Sequence, residues 1–77
     1  MNFSELIKTK RKKNDITQEI LADMIGTSKQ TIANWENDRS KPQINDNLII
    51  NSISHALKIS KSEIIESITG LKTNQGK

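Results

Sequence analysis

The sequence predicts an all-α fold, five short helices in one compact bundle. Three observations carry this. Segments of helical length lie between Gly26, Pro42 and Gly70. Apolar residues recur within them at helical spacing, and strand-like alternation is weak throughout. Residues that can cap free backbone amides stand just ahead of the segments.

The first helix is expected to start at Asn2 or Ser4 and run to about Lys13. Phe3, Leu6, Ile7 and the stem of Lys10 share one face, and the turn-prone pair Asn14-Asp15 ends it. Thr17 is placed to cap the second helix, with Glu19 near its positive end. Its apolar residues are Ile20, Leu21, Met24 and Ile25, with Ala22 small among them. Gly26 then supplies a left-handed residue. Thr27 or Ser28 starts the third helix almost at once, and Ile32 and Trp35 face inward. Asn37 to Pro42 is polar and reads as a loop, since Pro42 discourages helix at Lys41.

A fourth helix fits from Asn45 or Asp46 to Leu57, with Leu48, Ile49, Ile53, Ala56 and Leu57 as its face. His55 is expected to be partly buried there. Ser60 caps a fifth helix, and Glu63 three residues on completes a capping box. Ile64, Ile65 and Ile68 form its apolar stripe, and Gly70 stops it. Residues 1–69 thus read as one domain, and 70–77 as a flexible C-terminal tail.

Composition narrows the function. A chain of 77 residues is one domain at most and leaves no room for a deep substrate cleft. A chain of this length buries only about 60% of its unfolded surface. Phe3 and Trp35 are the only aromatics, so the core must be mostly aliphatic. The absence of cysteine excludes disulfides and thiolate metal sites. His55 is the single histidine, too few for an ordinary zinc site. No apolar run approaches membrane-spanning length, and no signal pattern opens the chain. A cytoplasmic location is the simplest expectation. The net charge is +3, and five of the twelve basic residues, Lys8, Lys10, Arg11, Lys12 and Lys13, cluster together. Such a stretch can attract phosphate or simply be a solvated helix face.

The informative stretch runs from Gln18 to Trp35. Two short helices are joined through Gly26, a joint tight enough to set them at a steep angle. Ile32 and Trp35 pin the second of them to the core. The opposite flank, Ser28, Lys29, Gln30, Thr31, Asn34 and Asn37, stays exposed, with Glu36 turned away. Short amides and hydroxyls can pair with base edges, and lysine can donate to guanine. An ordinary solvent face would hold more glutamate–lysine pairs. The helix N-terminus also offers free amides to phosphate.

The residues that resemble a known family are Arg11, Ile16-Thr17-Gln18-Glu19, Leu21-Ala22, Ile25-Gly26-Thr27-Ser28, Thr31-Ile32, Trp35-Glu36, Lys41-Pro42 and Ala56-Leu57-Lys58-Ile59-Ser60. Over residues 3–68 the chain resembles the phage repressor and Cro-like (XRE-like) class of helix-turn-helix proteins. The resemblance implies a lambda-repressor-like five-helix bundle whose third helix enters the major groove. It implies a base-reading set of Ser28, Lys29, Gln30, Thr31 and Asn34, and phosphate contacts from Gln18, Thr27, Asn37, Arg39 and Lys41. It implies a structural ion pair between Arg11 and Glu36, tying the first helix to the third. Three features depart from the pattern. Lys58 stands where the family often has glycine, Lys10 takes a commonly apolar position, and Pro42 to Ala56 is about three residues longer.

The function expected is a sequence-specific transcriptional regulator, most simply a repressor on an operator in double-stranded DNA, bound as a homodimer. The alternative is an antitoxin or protein-interaction module on the same fold. No cofactor or metal is expected. No nucleophile–base pair, metal set or phosphate loop suggests an enzyme.

Overall fold

The computed structural model describes residues 1–71, so the tail expected beyond Gly70 lies almost wholly outside the described residues. Five helices follow in order: α1 Phe3–Lys13, α2 Gln18–Ile25, α3 Lys29–Glu36, α4 Asn47–Leu57 and α5 Lys61–Thr69. No strand occurs among the described residues.

Local chemistry sets the boundaries. Each helix begins at a short polar side chain that accepts a hydrogen bond from an otherwise free amide: Asn2, Thr17, Ser28, Asp46 and Ser60. Gly26 ends α2 in the left-handed region at φ 77°, where a Cβ would be strained, and its N–H donates to Ala22 O. Lys58 takes the same left-handed role after α4 at φ 59°, its N–H donating to Ser54 O. The turn into α5 thus keeps the geometry a glycine would give, at the cost of crowding a lysine Cβ. Asp15 and Asp38 are also left-handed, just beyond the ends of α1 and α3.

One core joins all five helices. Phe3, Leu6 and Ile7 of α1 meet Leu21, Ala22 and Ile25 of α2, Ile32 and Trp35 of α3, Ile50, Ile53, Ala56 and Leu57 of α4, and Ile64 of α5. Ile59, in the link between α4 and α5, is buried with them. Phe3 and Trp35 pack edge to face with ring centroids 5.6 Å apart, which fixes α1 against α3.

Several sequence expectations are corrected. Leu48 is not on the buried face of α4; it is 79% exposed, and Ile50 takes the core position. Asp46 as cap starts α4 at Asn47, and the helix phase that buries Ile53, Ala56 and Leu57 turns Leu48 outward. Met24 and Ile20 are about half exposed, because α2 buries only Leu21, Ala22 and Ile25. His55 is exposed rather than partly buried, lying across α4 from Ile50 and Leu57. In α5, Ile64 is fully buried, whereas Ile65 and Ile68 are half-buried. No helix among the described residues is long and apolar enough to cross a membrane.

Candidate nucleic-acid interface

Helix α3 is held from one side only. Ile32 and Trp35 are buried, and Glu36 beside them is buried too. At its start, Ser28 Oγ accepts from the Thr31 amide at 3.1 Å, and the Ser28 and Thr31 hydroxyls lie 3.0 Å apart in a hydrogen bond. The connection from α2 is closed by Thr27 N–H donating to Ala22 O at 2.9 Å. At its end, Asn37 N–H donates to Ala33 O and Arg39 N–H to Asn34 O. The helix is therefore capped at both ends with its polar flank left open.

That flank carries the residues named from the sequence. Lys29, Gln30 and Asn37 are exposed, and Thr31 and Asn34 are half-buried at its margin. Gln30 Nε2 donates to Asn34 Oδ1 at 3.1 Å, one helical turn along. Arg39 and Lys41 are exposed in the segment between α3 and α4. At the other end of α3, Lys29 and Lys12 border an open notch at the start of α2, with Asp15, Thr17, Gln18 and Glu19. The first-turn amides of α2 give this notch a partial positive charge, which the two lysines reinforce and the two acids offset.

Behind the flank lies a rigid ion-pair network. Arg11 Nε donates to Glu36 Oε2 at 2.6 Å and Nη2 to Oε1 at 3.0 Å, a two-pronged contact. Arg11 Nη1 also donates to Ile16 O at 3.0 Å, so α1, the turn into α2 and the end of α3 are tied at one point. Gln18 Nε2 adds a third donor to Glu36 Oε1 at 3.0 Å. Burial alone would push the Glu36 carboxyl up. The hydrogen bonds from Arg11 and Gln18, with the charges of Arg11 and Lys8, outweigh it and hold the group below the usual carboxylate range. The carboxylate therefore stays ionised at neutral pH.

The sequence expectation for Gln18 was a phosphate contact. Its amide nitrogen already has one partner inside the protein, leaving the amide oxygen and one N–H hydrogen for others. The Gln18–Glu36 bond has no sequence signal, since 18 positions separate the two residues. The Gln30–Asn34 bond had one: an i, i+4 spacing of two amides.

A helix-turn-helix family model matches residues 7–46 of the chain. The chain belongs to the XRE-like helix-turn-helix family. Its fold also matches solved structures of a phage repressor. The P22 c2 repressor, crystallised in complex with a synthetic operator, superposes with a TM-score of 0.74 at 28% identity, over 92% of this chain and 98% of that one. The solution structure of the P22 c2 repressor DNA-binding domain gives a TM-score of 0.74 at 29% identity, over 84% of this chain and 82% of that one. No curated protein matches. The five helices of this XRE-like domain thus form the lambda-repressor-like fold, which is that of DNA-binding regulators.

Proposed function

We propose that this chain is a sequence-specific transcriptional repressor that binds an operator in double-stranded DNA by laying α3 in the major groove. The observation that carries the reading is the open polar flank of α3, capped at both ends and pinned from behind by Ile32, Trp35 and Glu36. The similarity to a repressor crystallised in complex with a synthetic operator supports operator DNA as the ligand. Ser28, Lys29, Gln30, Thr31 and Asn34 face base edges in this reading. Gln18, Thr27, Asn37, Arg39 and Lys41 flank them and meet the phosphates, giving affinity and register while the bases give sequence choice.

An eight-residue helix spans only about 12 Å and reads few base pairs. A homodimer on two half-sites about 34 Å apart supplies the missing specificity. The protein acts without chemistry, by occupying DNA that polymerase needs, and it works in the cytoplasm.

Selection of bound duplexes from random DNA, followed by affinity measurement against salt, tests this. A palindromic consensus should emerge. If six to ten phosphates are neutralised, affinity should fall about 10³- to 10⁵-fold between roughly 50 and 200 mM salt. A flat salt dependence, or a pull-down in which the α3 flank holds a protein and no duplex is retained, contradicts the proposal and favours a protein-interaction module.

A further inference from the structure

Helix α4 has a second face. Ile50, Ile53, Ala56 and Leu57 are buried. Leu48, Asn51, Ser52 and His55 follow one another at the three- and four-residue spacing of a single stripe beside them. Leu48 is the most exposed large hydrophobic of the described residues, and half-exposed Met24 of α2 lies next to it. With Ala56, these side chains line an open hollow of about 300 Å³. No α3 residue is among its described lining. Large apolar side chains grouped on a surface mark a contact with another molecule.

We infer that α4 pairs antiparallel with α4 of a second copy of this chain, across a two-fold axis at Ser52, with Leu48 seated in the other copy's hollow. Leu48 forms a ridge near the start of the helix, and the small side chains of Ser52 and Ala56 leave a depression toward its end. Asp46 just before the helix and Lys58 just after it are exposed, and neither has an ion-pair partner among the described residues. An antiparallel crossing at Ser52 sets Leu48, four residues before it, against Ala56, four residues after it, in the other copy. It likewise sets Asp46, six before, against Lys58, six after. The two-fold axis repeats both contacts. A parallel crossing would stack Leu48 on Leu48 and bring like charges together at each end. Ridge, hollow and both end charges are each answered by the same helix reversed, and this identifies the occupant as a second copy. α3 packs mainly on α2 and α1, so pairing through α4 leaves both α3 flanks open. The inference stands apart from the duplex-DNA reading, since the contact needs no DNA. An 11-residue helix is only about 16 Å long, so the contact is smaller than that of a permanent dimer and pairing is weak.

Sedimentation equilibrium of the full chain without DNA tests this. Between about 10 µM and 1 mM the wild type should show a reversible monomer–dimer equilibrium. Leu48→Glu should weaken it by about 10-fold or more, since the change acts twice across the axis, and should leave the melting temperature unchanged. Lys58→Glu sets like charges together between copies and should also weaken pairing. Adding Asp46→Asn, which keeps a capping side chain, should recover part of that loss. Within one chain the two positions are about 18 Å apart, beyond the roughly 8 Å screening length at physiological salt, so only contact between copies couples them. The chain has no cysteine, so Ser52→Cys places its sole thiol at the crossing. Air oxidation should link two such copies several-fold faster than it links Ser40→Cys, an exposed position between α3 and α4. A wild type still monomeric at about 1 mM overturns the inference and leaves the face to a different protein. So does a dimer indifferent to Leu48→Glu, a Lys58→Glu loss that Asp46→Asn does not relieve, or cross-linking of Ser52→Cys no faster than that of Ser40→Cys. Duplex binding is a readout in none of these measurements, so its failure would bear on the DNA reading alone.

Discussion

Removing the Glu36 carboxylate should be among the most damaging single changes in this domain. In Glu36→Ala, Arg11 loses both prongs of its contact and Gln18 loses its acceptor, while Arg11 keeps only Ile16 O. The Glu36 side chain is 3% exposed and that of Arg11 12%, so water cannot fully replace what is lost. Breaking one side of a buried pair costs about 3–5 kcal/mol, and the residual exposure of Arg11 favours the lower end, about 3 kcal/mol. In a domain this small such a loss lowers the melting temperature by about 12 °C or more. The assay is thermal and urea unfolding followed by far-ultraviolet circular dichroism. Glu36→Leu combined with Arg11→Met should recover most of the loss, because an apolar pair of similar volume removes the stranded charge. The reasoning is refuted if Glu36→Ala costs less than about 1 kcal/mol, the range of an exposed pair. It is equally refuted if the double variant is no more stable than Glu36→Ala alone.

The same carboxylate gives a pH signature. Its folded pKa is depressed, so its contribution is complete above the unfolded value, near pH 4.3, and is lost as pH falls through the folded value. The stability gap between wild type and Glu36→Gln should therefore narrow in that acid window and stay level above it, as melting temperatures across pH would record. Lys58→Gly should stabilise the domain by about 1 kcal/mol, because Lys58 sits at φ 59° where glycine has no Cβ to crowd. A melting temperature unchanged or lowered would show that the lysine stem makes up the difference. Ile50→Ala should cost about 2–5 kcal/mol, whereas Leu48→Ala should stay within about 0.5 kcal/mol, in urea unfolding of the two variants.

In that last pair, reading an apolar run as a whole hid the helical period within it. Leu48-Ile49-Ile50 is an unbroken apolar run, but only Ile50, three residues before Ile53 and seven before Leu57, lies on their stripe; Leu48 is five before Ile53 and falls off it. The packing of α4 against α2, α1 and α5 follows that period and buries Ile50. Met24 misled for a different reason: helical spacing marks an apolar face but not how much of it a neighbour covers. The caps were legible because they are local. Thr17, Ser28 and Ser60 each bond an amide three residues on, a relation that sequence spacing states outright. Gly26 and Gly70 were legible because the left-handed region excludes most other residues. Asp38, left-handed without being glycine, was not.

The site divides along the same line. Which residues of α3 stay open followed from Ile32 and Trp35 facing inward. How those residues pair did not follow, since an amide can point either way. The use of Gln18 as a third donor to Glu36 depends on α2 and the end of α3 meeting in space.

The central claim is that the open flank of α3 lies in the major groove of duplex DNA. Dimethyl sulfate reports this directly, since it methylates guanine N7 in the major groove and adenine N3 in the minor groove. On a selected site, bound protein should protect guanine N7 in two clusters about 34 Å apart, and the combined change Lys29→Ala, Gln30→Ala should abolish that protection. Protection confined to adenine N3, or left unchanged by the double substitution, would contradict it.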